Sequence, residues 1–113
     1  MPRDLESLID IEQAAKRILR FSRGVDRSNL ETDEEKISAI LYQITIIGEA
    51  TKRLSPQIRQ QYPEIPWRSL AGMRDVIVHE YDQIDINVVW DVVQNKIPEL
   101  LKLLEPLLPN SPD

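Results

Sequence analysis

Apolar residues recur along this chain at helical rather than alternating spacing. From about Asp4 to Arg23, Leu5, Leu8, Ile11, Ala15, Ile18 and Ser22 fall near one face of a 3.6-residue repeat, with Gly24 placed as a C′ residue. A second stripe, Ile37, Ile40, Leu41, Ile44, Ile47, Thr51 and Leu54, predicts a long helix. Thr32-Asp33-Glu34-Glu35 before it has the form of a capping box, with Thr32 as the cap. Ser55-Pro56 reads as a cap followed by proline at the first helical position, opening a short helix that ends by Pro63. Pro66 can start a fourth helix, with Leu70, Met73 and Ile77 toward the core and Trp67 at its edge. A fifth begins after Asp85, carries Val88, Val89, Val92, Val93 and Ile97, and should bend or divide near Pro98. The predicted fold is all-α: an antiparallel bundle of about five helices in one domain, residues 1–113, with a frayed tail over 106–113.

Composition narrows this reading. At 113 residues the chain supports one core, and 42% apolar with 5% aromatic content favours aliphatic helix packing over a β-sandwich. Without cysteine there is no disulfide framework and no thiolate site. No run approaches the roughly 18 uninterrupted apolar residues of a membrane span. The opening Met-Pro-Arg-Asp-Leu-Glu lacks the apolar stretch of a signal peptide, so a cytoplasmic protein is expected.

Net charge is −5, which by itself speaks against nucleic acid, but the charge is unevenly spread. Residues 51–74 hold Lys52, Arg53, Arg59, Arg68 and Arg74 against Glu64 alone, a net +4. Residues 75–113 hold eight acidic residues against Lys96 and Lys102, a net −6. A basic segment thus leads into Arg74-Asp75-Val-Ile-Val-His79-Glu-Tyr81, which contains the only histidine of the chain.

An imidazole can take or give a proton near neutral pH, while a guanidinium stays charged and grips phosphate. Together they suit chemistry at a phosphodiester. A helix end where a surface histidine follows an arginine is the bland alternative. At about 100° per residue, Arg74 and His79 lie roughly 140° apart on an ideal helix, whereas Asp75 and His79, at i and i+4, face the same way and could hydrogen-bond. Ala71 and Gly72 share that second face and would allow another backbone to approach. One imidazole supplies only half of the base and acid pair that metal-free RNA cleavage needs, so a two-fold dimer with two copies of His79 in one cleft is expected. No metal site is expected, since the nearby ligands are carboxylates and no second histidine exists.

The run Ile65-Pro66-Trp67, Leu70, Met73-Arg74-Asp75, His79-Glu80-Tyr81 resembles the HepT-like branch of the HEPN superfamily. Its signature is an arginine, four to six residues, a histidine, one residue and a tyrosine. Ile47-Gly48-Glu49-Ala50 and Ile86 to Trp90 look like further family elements, so the resemblance spans nearly the whole chain. Asp75 departs from the pattern, standing where many HEPN nucleases have asparagine. The resemblance implies a homodimeric, metal-independent endoribonuclease without a cofactor, the toxin of a toxin–antitoxin pair. Its partner would be an MntA-like nucleotidyltransferase that neutralises it by transferring AMP onto Tyr81.

On this reading Arg74 and His79 are catalytic, Asp75 orients His79, and Tyr81 accepts AMP. Each has a plainer alternative: an ion pair for Arg74, a structural hydrogen bond for His79, packing at the bundle end for Tyr81. Glu49 either lines the cleft or pairs with Lys52 or Arg53. A catalytically inactive HEPN module that binds nucleotide or scaffolds a nucleotidyltransferase is the competing class, and an acidic interaction bundle is a third.

Overall fold

Leu8, Ile11, Ala14, Ala15 and Ile18 are buried along one side of α1 (Asp4–Phe21), as their spacing requires. The computed structural model that establishes this describes residues 3–78 and 83–109. Leu5, read as part of the same stripe, is instead 50% exposed; at about 100° per residue it lies about 60° from Leu8 and about 120° from Ile11, off the buried face. Ser22 closes the helix by donating its hydroxyl to the Ile18 carbonyl at 2.9 Å. Gly24 then turns the chain with φ at 74°, a conformation that side chains with a Cβ resist.

The next element was not predicted. A short helix α2 (Arg27–Thr32) is capped by Asp26, whose carboxylate accepts from the Asn29 N–H at 2.8 Å. Its one buried residue is Leu30. The expected Thr32 capping box is therefore corrected. Thr32 is the last residue of α2, and Asp33 caps α3 (Glu34–Lys52), accepting from the Lys36 N–H at 2.9 Å. Aspartate outcompetes its threonine neighbour here because its carboxylate reaches that N–H from the joint between the two helices.

α3 is the central helix of the bundle. Ile37, Ile40, Ile44, Ile47, Ala50 and Thr51 are buried, and α3 packs against α1 on one side and the α5–α6 segment on another. After it, Ser55 caps α4 (Pro56–Gln61) as predicted, with proline at the first helical position. The Ser55 hydroxyl and N–H also donate to the Asp4 carboxylate at 2.6 and 2.9 Å, tying the start of α4 to the start of α1.

The predicted fourth helix is broken into α5 (Trp67–Ala71) and α6 (Met73–Ile77), with Gly72 at the joint. Trp67 lies in the core, and its indole N–H donates to the Tyr62 carbonyl at 3.0 Å. α6 ends at Ile77, and Val78 is extended, with φ −101° and ψ 115°. Val76-Ile77-Val78 is a run of β-branched residues, which loses side-chain freedom in a helix and favours extended backbone. Val78 forms an isolated antiparallel bridge with Ile84.

The last helix holds its path through Pro98 by changing register. α7 (Ile86–Asp91) passes into a π-turn over Val92–Lys96 and then α8 (Ile97–Leu104). The Ile97 N–H donates to the Val92 carbonyl, five residues back. Widening the turn makes room for the proline ring, which would otherwise crowd the carbonyl four residues earlier. A 3₁₀ turn (Glu105–Leu107) follows, with Leu107 and Leu108 packed against the core. α1 and α8 also pack together, so the ends of the described chain close one core. Among the described residues the architecture is all-α, as predicted, and no helix is long and apolar enough to cross a membrane.

Candidate functional site

Met73 and Ile77 anchor α6 in the core, at 8% and 0% exposure, and this turns Arg74 and Asp75 outward. Among the described residues neither side chain makes a hydrogen bond or ion pair. The α6 surface thus presents an unengaged guanidinium beside an unengaged carboxylate, in which Arg74 can meet a phosphate without first breaking a protein contact.

The distance from α3 to α5, which leads into α6, is set by a glycine. A Cβ added to Gly48 would lie 3.2 Å from the Ala71 carbonyl oxygen, tighter than ordinary van der Waals contact. The close approach expected at Ala71 is therefore made inside the chain, by α3. Gly72 has no such constraint, since a Cβ there would meet only the Arg68 carbonyl oxygen at 3.7 Å.

Glu49, next to Gly48, is exposed, and its carboxylate lies 3.9 Å from the Lys52 ammonium. Of its two readings, the structure contains the local pair. The rest of the basic segment is dispersed. Arg53 pairs with Asp10 at 3.3 Å on α1. Arg59 donates to the Thr51 and Lys52 carbonyls at 2.8 and 3.3 Å, capping the end of α3. Only Arg68 and Arg74 of that segment are without hydrogen bonds or ion pairs among the described residues.

His79 and Tyr81 lie outside the described residues, so the structure places Arg74, Asp75 and Glu49 alone of the five candidates. The helical projection that put Asp75 and His79 on one face does not reach His79, because α6 stops at Ile77. The flanks of the 79–82 segment are defined instead. Val78 and Ile84 are bridged, and the Asp85 N–H donates to the Ile77 carbonyl at 2.8 Å. Asp85 then caps α7, accepting from the Asn87 and Val88 N–H groups at 3.1 and 3.3 Å.

A groove of 510 Å³ opens between α5–α6 and the last helix, and the sequence reading missed it. Leu70, Met73, Val76, Val92, Leu100 and Leu103 line it, while Arg74, Asp75 and Glu49 do not. α6 accordingly carries two separate outward faces, a charged one at Arg74 and Asp75 and an apolar one at Val76. No group of three His, Cys, Asp or Glu side chains able to hold a metal ion occurs among the described residues.

Comparison with known proteins agrees with the motif. A family model described as ribonuclease HepT-like matches residues 11–107. A protein of Thermococcus cleftensis named as a probable ribonuclease HepT is 36% identical over 100 residues, which cover 88% of this chain and 91% of that protein. A protein of Methanocaldococcus jannaschii named "Putative RNase MJ0125" is 34% identical over 107 residues, covering 94% of this chain and 92% of its own length. No solved structure matches the chain.

Proposed function

We propose a function for this chain from one premise: it belongs to the ribonuclease HepT-like family. The reading is that it is an endoribonuclease, that cleavage needs no metal, and that Arg74 and His79 perform it. The observation that carries this reading is the family match across 11–107, which includes Arg74, His79 and Tyr81 at the signature spacing. The exposure of Arg74, which has no side-chain partner among the described residues, supports it further.

In metal-free cleavage a base removes the proton of a ribose 2′-hydroxyl, the 2′-oxygen attacks the adjacent phosphorus, and the 5′-oxygen leaves as an acid protonates it. Arg74 would hold the non-bridging oxygens and offset the charge that grows on them. His79 would move the proton. Since one chain has a single histidine, two chains related by a two-fold axis would supply both the base and the acid. Asp75 would orient the imidazole.

The same reading makes the chain a toxin whose partner is a nucleotidyltransferase antitoxin. AMP on Tyr81 would bring negative charge and bulk within a few residues of Arg74 and His79, opposing RNA phosphate. The deciding experiment is expression with and without a nucleotidyltransferase of the MntA-like kind. The reading expects growth arrest and RNA fragmentation without it and relief with it. Healthy growth on expression of the chain alone would favour a non-catalytic module.

A further inference from the structure

Val78 and Ile84 flank the segment that carries His79 and Tyr81, and the flank at Ile84 and Asp85 depends on contacts distant in sequence. α7 is six residues long, with Val89 buried and Ile86, Val88 and Trp90 packed half-buried against the core, while Asn87 near its start is exposed and polar. α2 meets α7 from across the fold, beside α6. The Arg27 Nε–H donates to the Asn87 Oδ1 at 2.8 Å, across 60 residues of sequence. Among the described residues it is the one side-chain hydrogen bond between α2 and α7. Arg27 is itself held by Glu31 one turn on, at 3.6 Å, and α2 is seated by Leu30, which is completely buried.

The contacts form a continuous path. Arg27 holds Asn87, and the N–H of Asn87 is bound by the Asp85 carboxylate. The Asp85 N–H in turn is bound by the Ile77 carbonyl at the end of α6. We propose that Arg27 and Asn87 are a positioning pair, which fixes the start of α7 and, through Asp85, the spacing between the two ends of the segment that carries His79 and Tyr81. Its catalytic consequence rests on the ribonuclease reading. α2, which carries no chemistry of that reading, acquires a role in it. A small shift at the Ile84 flank of so short a segment moves any side chain on it relative to Arg74, and catalysis is sensitive to displacements of this order.

Exchange of the Asp85 amide proton reports the path directly, and cleavage kinetics report its consequence. Arg27→Ala and Asn87→Ala should each speed Asp85 exchange about three- to tenfold, the range expected for loss of one such bond, while core amides of α3 keep their rates. The double variant should exchange no faster than the singles, as required of residues that act as a pair. Asn87→Asp keeps the acceptor and should match or slow the wild-type rate. In parallel, the alanine variants should lose kcat by a similar factor with KM unchanged, and Asn87→Asp should retain it. Unchanged Asp85 exchange in Arg27→Ala, or additive effects, would overturn the pair. Faster exchange with intact kcat would overturn its positioning role. Absence of cleavage by the wild-type protein would instead defeat the ribonuclease reading, with the exchange ranking still deciding the pair.

Discussion

Gly48 on α3 faces the Ala71 carbonyl oxygen so closely that a methyl group at Gly48 would stand 3.2 Å from it. The contact sets how near α3 comes to the α5–α6 joint, and therefore where Arg74 emerges. Glycine inside a long helix ordinarily costs about 1 kcal/mol relative to alanine, so its presence here marks a spatial need. Gly48→Ala should leave stability within about 1 kcal/mol, the propensity gain offsetting the crowding. Gly48→Val should destabilise by about 2 kcal/mol or more through overpacking. Urea denaturation of the two variants checks this, and a Gly48→Val protein as stable as wild type would show that the joint has slack.

Among the described residues Arg74 has no side-chain partner to lose, so Arg74→Ala should alter stability by no more than about 0.5 kcal/mol. Cleavage should nevertheless fall at least about a hundredfold, since charge stabilisation at the phosphate is removed. Arg74→Lys should recover little, as an ammonium lacks the planar fork that grips two phosphate oxygens. Thermal melts run beside single-turnover cleavage separate the two effects. Parallel losses of stability and activity would mark Arg74 as a structural residue.

Asp26 gives a pH test of α2. Its carboxyl is held below the usual aspartate range, first by the Asn29 N–H and next by the Ser28 hydroxyl. A depressed folded-state pKa adds stability that is complete above the unfolded value and is lost as pH falls through the folded one. Wild type should therefore exceed Asp26→Ala in stability near pH 7, and the gap should close at pH values below the ordinary aspartate range. Denaturant midpoints of both proteins across that window check the sign. A gap that widens on acidification would contradict the capping role.

Tyr81→Phe distinguishes a switch from packing. With ATP, magnesium and the cognate nucleotidyltransferase, the wild-type chain should gain the mass of AMP and lose cleavage, and the phenylalanine variant should do neither. Intact-mass spectra with AMP on another residue of the neutralised protein would exclude Tyr81 as the acceptor.

The long helices were legible because aliphatic residues repeat over many turns: Ile37 through Thr51 define the buried side of α3 unaided. α2 was not, since six residues with Leu30 as their one buried apolar group carry no period, although Asp26 and Asn29 have the spacing of a cap. The Arg74–Asp75 pair was placed correctly on the outer face of a core-anchored helix. Its geometry toward His79 lies outside the described residues, and the β-branched run Val76-Ile77-Val78 ends α6 at Ile77, before the helical period reaches position 79. The groove draws its walls from α5, α6 and the last helix, and Pro98 is absorbed by a π-turn rather than a break. Both are consequences of packing between segments, which a linear pattern does not encode.

The central claim is that Arg74 and His79 cleave RNA without a metal. The most direct measurement is cleavage of RNA by the purified protein in EDTA, beside a folded His79→Ala protein. The account predicts undiminished cleavage by wild type and a loss of at least about a hundredfold in the variant, in the range reached by removing a proton-transfer group. Undiminished cleavage by His79→Ala, or activity that vanishes in EDTA and returns with a divalent cation, would contradict it.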